Sequence, residues 1–265
     1  MNRIISRILV AVMVLLVTIP LIPLVLNAFS LNWTYPNLLP DDFTFVSFEL
    51  INSYFDIYKI LAQSIILSAM VTLGSVVLGY YPAKLIGTHE FRGKRLLEII
   101  LIIPALASAI TVIFGLIPVM RWFGIYKTFI GLVLGQMTFA LPYFIITTSS
   151  SFRNYETMYE ELAPTLGLSN FEKALFVTMP QMKSGIAVGA MYTFIVSWSM
   201  FLFTDTFAPR AFETMATVLY PQVSSMVNYH YTAAITLLFF IPALVMMVIS
   251  TRIVGSDNTN IGGGQ

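Results

Sequence analysis

The sequence contains no cysteine and only two histidines. Without cysteine the chain can form neither a disulfide framework nor a thiolate metal site. His89 and His230 are far apart in the sequence, which argues against a histidine-rich metal cluster. The net charge is +1, so the chain lacks the excess of basic residues that is typical of nucleic-acid-binding proteins.

Charged residues are also scarce: they make up 10% of the 265 residues, compared with about 25% in soluble domains. Hydrophobic residues account for 57% of the chain. A membrane-spanning helix needs about 20 mainly apolar residues, and six runs meet that criterion. They cover residues 8–29, 60–82, 96–119, 128–150, 185–207 and 231–253. The sequence therefore predicts an all-α membrane protein with six transmembrane helices in a single membrane domain, residues 1–265.

The first run is preceded by Arg3 and Arg7, a pattern that secretory signal peptides share. Its apolar stretch is too long for a signal peptide, and Asn27-Ala28-Phe29 is a poor cleavage site. We therefore expect a retained first helix.

The distribution of basic residues predicts the orientation, because short cytoplasmic loops are enriched in Lys and Arg. If the N-terminus is cytoplasmic, four of the fourteen basic residues lie outside: Lys59, Arg121, Lys127 and Arg210. The other ten lie inside: Arg3, Arg7, Lys84, Arg92, Lys94, Arg95, Arg153, Lys173, Lys183 and Arg252. Six spans then return the C-terminus to the cytoplasm.

Several catalytic motifs are missing. The chain has no Gly-x-x-x-x-Gly-Lys-Ser/Thr to cradle ATP, no His-Glu-x-x-His and no Gly-x-Ser-x-Gly. Glu98 and Asp205 are the acidic residues near a span, and both lie toward helix ends. Ion-coupled carriers usually keep ionisable residues deep in the membrane, so this pattern argues against a secondary transporter. A secondary transporter and a membrane scaffold or sensor remain the alternatives.

A polar segment lies between the fourth and fifth apolar runs, and its first half predicts a short helix. Thr157 and Glu160 have the spacing of a capping box, in which the two side chains bond N–H groups at a helix start. The helix is expected to end near Leu166, because Gly167 suits the left-handed conformation that follows many helix ends. Pro164 lacks an N–H group, so it predicts a kinked or shortened helix.

The second half of the segment predicts another helix. Ser169 and Glu172 form a second capping box, and the helix should run to about Met179, where Pro180 favours a stop. Its apolar side chains suit insertion into the groove of a partner, although a helix lying on the membrane surface is an alternative. These side chains are Leu168, Phe171, Leu175 and Val177.

The spacing within this segment resembles the cytoplasmic loop of ABC importer permeases. That loop has the pattern Glu-Ala-Ala, three residues, Gly, nine residues, Ile, any residue, Leu-Pro. The matching positions are Glu161, Ala163, Gly167, Val177, Met179 and Pro180. Leu162 replaces an alanine of the pattern, Val177 an isoleucine and Met179 a leucine, each an apolar residue for another.

The resemblance implies that residues 153–184, approximately, form a coupling loop that docks into a cleft on a separate ATPase. Glu161 and Gly167 would hold the shape of the loop, and residues 168–176 would make the contact. The residues implicated in ATPase coupling are Glu161, Ala163, Gly167, Ser169, Phe171, Glu172, Leu175 and Pro180.

The resemblance also implies the assembly. The chain would be the permease of a type I ABC importer in a bacterial inner membrane. Its partners would be an ABC ATPase dimer, a second permease subunit that is identical or related, and an extracytoplasmic solute-binding protein. The chain itself would bind no cofactor, because ATP and magnesium would bind the ATPase. Transport would proceed by alternating access, driven through the loop around Gly167.

The segment from Ser197 to Leu219 is similar to permeases of the spermidine/putrescine group, which also has relatives for phosphonates, iron and thiamine. In polyamine permeases we expect paired acidic residues where this chain has Ser199 and Met200. This difference argues against a polyamine. The solute is expected to be small and polar or charged, and its class stays open.

The fifth apolar run is the most polar, which makes it a candidate for the translocation path. Its candidate residues are Thr193, Ser197, Trp198, Thr204 and Asp205. Hydroxyl groups also join membrane helices by hydrogen bonds, so packing is the alternative. Asp205 could meet a cationic solute or a docked binding protein, or it could be a solvated interface residue.

Prolines inside the runs predict kinks, because each removes a backbone donor. Kinks near Pro104 and Pro142 would let the inner helices rock, while ordinary irregularity of membrane helices is the alternative.

Overall fold

The computed structural model describes residues 3–31, 33, 37, 39–153, 155, 157–225 and 228–261. Within these ranges the regular structure is helical, without β-strands, which confirms the all-α prediction. The chain divides into two compact units. The first unit comprises Met1–Leu61 and Met215–Ile241, and the second comprises Ala62–Thr214 and Pro242–Gln265.

The first unit contains four complete helices and the beginnings of two more. Its complete helices are α1 (Arg3–Thr18), α2 (Leu21–Ala28), α3 (Val46–Tyr54) and, later in the chain, α13 (Met215–Ser225). Helices α4 (Ile57–Thr88) and α14 (Tyr229–Ile261) begin in this unit and continue into the second.

The second unit contains the remaining helices. These are α5 (Lys94–Leu106), α6 (Ala109–Trp122), α7 (Phe129–Phe152), α8 (Met158–Leu162), α9 (Asn170–Lys173), α10 (Met179–Gln181), α11 (Lys183–Trp198) and α12 (Phe201–Phe207). A 3₁₀ turn, Ala163–Leu166, follows α8, and a π-helical turn, Ala174–Thr178, joins α9 to α10.

The helices that could cross a membrane coincide with the six predicted runs. Four are long and apolar enough by themselves: Ile5–Ala28, Ile57–Thr88, Phe129–Phe152 and Tyr229–Gly255. Two bent helix pairs raise the number to six if each pair is one span: Lys94–Pro104 with Ala109–Trp122, bent by 98°, and Lys183–Trp198 with Phe201–Phe207, bent by 60°. A membrane span tolerates a short break of this kind, because neighbouring helices can satisfy the backbone groups that the break frees.

Only one of the two predicted proline kinks forms as a break. Helix α5 ends at Leu106, two residues after Pro104, and Ser108 is extended before α6 begins. Helix α7, in contrast, is continuous through Pro142. Pro142 is buried, and α7 packs along α11, so tertiary packing compensates for the backbone bond that proline removes.

Close packing of α7 against α11 organises the second unit. A Cβ atom at Gly189 would lie 2.4 Å from Thr148 Oγ1, and one at Gly185 would lie 2.5 Å from Ser151 Cβ. Small residues four apart let membrane helices approach closely, so these glycines determine the α7–α11 distance. The core beside this contact is apolar and draws on α4, α6, α7 and α12: Leu67, Val71, Ile113, Met120, Leu132, Met137, Phe139, Ala140, Phe203 and Phe207.

The first unit is held together by aromatic and hydroxyl contacts. Phe29 packs against Phe45 edge to face, with ring centroids 5.4 Å apart. Ser30 Oγ lies 3.2 Å from His230 Nδ1, which links the end of the first span to the start of α14. Most side chains of Ile5–Ala28 are exposed in the isolated chain, as expected for a helix that faces lipid or another subunit.

Candidate functional site

The polar segment folds as predicted around its glycine turn. Helix α8 and the 3₁₀ turn precede Gly167, whose φ of +77° lies in the left-handed region. The shortening predicted from Pro164 is also present, since α8 ends at Leu162 and gives way to the 3₁₀ turn. A residue with a Cβ atom would be strained at position 167, which explains glycine there.

The second capping box is present, and the first is absent. Ser169 Oγ accepts the N–H of Glu172, and Glu172 Oε2 accepts the N–H of Ser169 at 2.8 Å. Thr157 makes no such bond and has helical backbone angles, so the prediction of a capping box there was wrong. The physical reason is that the carboxylate of Glu160 is buried among stronger donors elsewhere.

The end of the second helix also differs from the prediction. The chain stays helical beyond Pro180, through Gln181, because the π-helical turn at residues 174–178 precedes it. Pro180 therefore lies in the first turn of α10, where a missing N–H costs little. The widened turn replaces the stop that proline alone would cause.

Glu160 lies at the centre of a partly buried polar group that we name the charged cluster: Lys84, Tyr155, Glu160 and Thr178. Lys84 Nζ donates to both carboxylate oxygens, at 2.6 and 2.7 Å. The hydroxyl of Tyr155 donates at 3.0 Å, and that of Thr178 donates to the same oxygen, Oε1. The cluster joins α4 to the polar segment, although Lys84 and Glu160 are 76 residues apart in the sequence.

These contacts shift the acid–base properties of the cluster. Burial alone would raise the pKa of Glu160, but the bonds from Lys84, Thr178 and Tyr155 lower it below its ordinary value overall. Burial raises the pKa of Tyr155 to about 12, with a further contribution from its bond to the Glu160 carboxylate. Both shifts favour the carboxylate and the neutral phenol, which is the protonation state that the hydrogen bonds require.

The solvent-exposed surface of the segment carries large apolar side chains. Phe171, Phe176 and Leu175 are 73%, 65% and 42% exposed. Leu168 and Val177, which were predicted to project, are only half-buried positions. Phe176 was missed, because the π-helical turn changes which residues share a face; no local sequence signal marks that turn. The segment thus presents an apolar surface that is partner-free within the described chain.

The other sequence-implicated residues of the segment lie mostly at the surface. Ala163 is buried. The exposed residues are Glu161, Gly167, Ser169, Glu172 and Pro180. Hydrogen bonding from Ser169 lowers the pKa of Glu172. Asn154 and Glu156, which fall within the predicted loop, lie outside the described residues.

Two of the five candidate path residues, Ser197 and Thr204, are brought together with a glutamine that was not predicted from the sequence. We name this group the amide–hydroxyl cluster: Ser68, Gln136, Ser197 and Thr204. Ser197 Oγ donates to Gln136 Oε1 at 2.5 Å and lies 3.4 Å from Ser68 Oγ. Gln136 Nε2 donates to Thr204 Oγ1 at 3.0 Å. These bonds join α4, α7, α11 and α12, an arrangement that supports the packing alternative for Ser197 and Thr204.

The remaining path candidates differ in exposure. Thr193 is buried and donates to the carbonyl oxygen of Gly189 at 2.8 Å, and the buried Trp198 stacks on Phe194. Asp205 is exposed. A signal for Gln136 was available in the sequence, because it is a lone amide within a long apolar run. Among the residues that the structure describes, no three His, Asp or Glu side chains are grouped so as to hold a metal ion.

The helical membrane fold and the helix–turn–helix segment together define the class of an importer permease. Residues 75–256 match the model of the family described as binding-protein-dependent transport system inner membrane component, and the chain belongs to this family. The match includes the charged cluster and the whole exposed surface at residues 171–176. The chain is therefore a permease subunit of an ABC importer and a transport component rather than an enzyme.

Similar proteins include several importer permeases. The spermidine/putrescine permease PotC of Shigella flexneri is 22% identical over 251 residues, which cover 93% of this chain and 92% of PotC. The trehalose permease SugB of Mycobacterium tuberculosis is 30% identical over 61% of this chain and 59% of SugB. The diacetylchitobiose permease NgcG of Streptomyces coelicolor is 25% identical over 95% of this chain and 86% of NgcG.

Solved structures show the same fold. A chain of a bacterial ABC transporter involved in the import of the acidic polysaccharide alginate superposes with a TM-score of 0.72, at 18% identity, over 94% of this chain and 95% of that one. A chain of the methionine ABC transporter MetNI, in an inward-facing conformation, gives a TM-score of 0.61 at 15% identity, over 76% and 95% of the two chains. The alginate transporter chain thus shares the helical fold over nearly the whole of this chain.

Proposed function

We propose that residues 153–184 form the coupling loop through which a separate ABC ATPase drives this permease. The observation that carries the proposal is the exposed apolar surface of Phe171, Leu175 and Phe176 on a helical segment whose start is held by the Ser169 capping box. Apolar side chains in this arrangement are costly in water and fit a groove on a partner. Glu161 is exposed in the same segment.

The proposed assembly contains an ABC ATPase dimer, a second permease subunit and an extracytoplasmic solute-binding protein. ATP and magnesium bind the ATPase. Family membership supports the binding protein, and one similar structure is an alginate transporter in complex with a pentasaccharide-bound periplasmic protein. The second permease is identical or related to this chain. In this assembly the chain acts as one permease domain, residues 1–265.

We further propose that both chain ends face the cytoplasm of a bacterial cell, with the protein in the inner membrane. The bias of ten inner against four outer basic residues supports this orientation, and it places the coupling loop on the side where ATP is available. Residues 1–2 and 262–265 lie outside the described residues.

The proposed solute is small and polar or charged. Similar permeases are named for spermidine and putrescine, trehalose and diacetylchitobiose, so similarity alone supports no single class. The exposed Asp205 is the path candidate best suited to meet a cationic solute or the binding protein. Thr193, Ser197, Trp198 and Thr204 act mainly in packing the helices that surround the path.

Co-purification tests the coupling loop. The tagged chain is purified from its native host in mild detergent, and retained proteins are identified by mass spectrometry. We expect an ABC ATPase to be retained, and to be lost when Phe171 and Leu175 are both changed to Asp. Phe43→Asp is the matched control, because Phe43 is 69% exposed and lies between the first two predicted spans, outside residues 153–184. Retention of the ATPase by the double variant, or its absence from the unsubstituted chain, would contradict the proposal.

A further inference from the structure

We propose that Glu160 and Lys84 form the joint that makes the coupling loop and the end of α4 move as one body. The inference rests on the proposed coupling function and assigns a positioning role to a glutamate outside the matched motif. The motif position is Glu161, which is exposed, whereas its neighbour Glu160 makes the contacts to the helix.

The joint is well suited to transmit force, because its carboxylate is held from several directions. Lys84 bonds both oxygens from α4, Tyr155 bonds from the start of the loop, and Thr178 bonds from its far end. The side chains of Lys84 and Glu160 are 18% and 10% exposed. Charge-assisted bonds in such a shielded site are shorter and stronger than those between neutral groups.

The position of Lys84 connects the joint to a rigid element. Lys84 lies one turn before the end of the continuous 32-residue helix α4. Beside it α4 is fixed closely against α7, since a Cβ atom at Gly87 would lie 2.3 Å from Phe152 Cβ and 2.7 Å from Ser149 O. Apolar side chains surround this contact: Tyr80, Ala83, Ile86, Ile145, Phe152 and Met182.

The π-helical turn connects the joint to the exposed apolar surface. It contains Thr178, which is completely buried and bonds Glu160, and it also contains Leu175 and Phe176 of the exposed apolar surface. The turn therefore carries the joint on one side and the docking surface on the other. A displacement of Leu175 and Phe176 by a partner therefore acts on the same five-residue turn that contains Thr178, one of the donors to Glu160.

Spin-label distances test the joint without knowledge of the solute. The chain has no cysteine, so Thr165→Cys on the loop and Tyr81→Cys on α4, both at exposed positions, define a label pair in this subunit. The complex with its ATPase, whose own cysteines are replaced, is measured without nucleotide and after trapping with ADP and vanadate. We expect the same narrow distance distribution in both states. A distribution that shifts on trapping would overturn the proposal.

Glu160→Gln then removes the charge but keeps the shape. We expect the ATPase to be retained and the label distribution to broaden or shift on trapping. The pair Glu90–Lys94 has its own 2.6 Å contact, and its glutamate side chain is 89% exposed. Glu90→Gln is therefore the matched control, which should behave like the parent. A Glu160→Gln complex with the parent's distribution in both states would overturn the proposal.

The charge-swapped variant Lys84→Glu/Glu160→Lys separates the joint from simple loss of folding. We expect it to restore a narrow distribution that does not change on trapping, because the ion pair is rebuilt. If Glu160→Gln fails to assemble, the swapped variant decides by the same criterion, and a changing distribution there counts against the joint. Absence of an ATPase from the unsubstituted complex would instead contradict the coupling function itself.

Discussion

The second unit contains two polar clusters that join helical segments, one through an ion pair and the other through neutral hydrogen-bonding groups. The charged cluster lies where α4 meets the predicted cytoplasmic loop and contains a full ion pair, with Lys84 still 18% exposed. The amide–hydroxyl cluster lies between spanning helices and contains only neutral groups, centred on Gln136. Charge is used where water is near, and neutral groups are used where desolvation would be most costly.

The comparison also separates two roles. Each member of the amide–hydroxyl cluster ties one spanning helix to another, and Thr204 has an additional bond to the carbonyl oxygen of Met200 at 2.9 Å. The charged cluster instead ties a spanning helix to the exposed loop. Loss of one neutral partner leaves alternative bonds, whereas loss of one charged partner leaves an uncompensated ion.

The largest expected effect is therefore that of Lys84→Met. This change leaves the carboxylate of Glu160 shielded without its counter-ion, and it should destabilise the protein by about 3 kcal/mol, the lower end of the range for breaking a buried pair. The measurement is thermal unfolding in detergent, followed by intrinsic fluorescence. Glu90→Gln, at a pair whose carboxylate side chain is 89% exposed, is the control and should leave the stability nearly unchanged, because solvent screens that pair. Equal effects of the two variants would remove the distinction between the sites.

The second prediction concerns Gly189→Val. The added atoms would collide with Thr148 Oγ1 and Phe144, push α11 away from α7 and stretch the Ser197–Gln136 bond. Overpacking of this kind should cost about 2 kcal/mol. Gly115→Val is a matched control, because nothing lies within 4 Å of a Cβ atom at Gly115. A Gly189→Val protein as stable as the control would show that the amide–hydroxyl cluster does not depend on this close approach.

A smaller effect is expected for Gln136→Leu. The substitution removes both bonds of the amide but leaves Thr204 bonded to Met200 O. Hydrogen bonds between membrane helices contribute about 0.6 kcal/mol each on average, so the loss should be about 1 kcal/mol. Unfolding of the variant and the parent in the same detergent measures it. A loss of stability as large as that of Lys84→Met would mean that removing one partner costs as much in the neutral cluster as in the charged one.

The smallest effect is a difference in alkaline stability. Because the pKa of Tyr155 is raised to about 12 in the folded protein, its contribution is complete below pH 10 and is lost as the pH rises through about 12. Tyr155→Phe should flatten this part of the stability profile. The lowered pKa of Glu160 acts at the acid end, where its contribution is lost as the pH falls below the ordinary range of a carboxyl group. An unchanged alkaline profile in Tyr155→Phe would argue against a shielded phenol.

The two capping boxes show how far local patterns reach. Ser169 and Glu172 bond each other as predicted, because both are exposed and no distant group competes for the carboxylate. Thr157 and Glu160 have the same spacing, but Glu160 is 76 residues from the lysine that binds it. A four-residue pattern contains no information about a distant residue that competes for the glutamate. The capping box at Thr157 was therefore predicted although none forms.

The six spans, the all-helical class and the left-handed turn at Gly167 were determined by the sequence itself. Lipid forces each spanning segment to satisfy its own backbone in a long apolar helix, and only glycine adopts a positive φ without strain. The tertiary structure alone decided which of two adjacent glutamates turns inward, where Pro142 is tolerated and which residues Gln136 joins. These outcomes depend on contacts between helices that are distant in sequence, and on the desolvation and close packing that only the assembled chain creates.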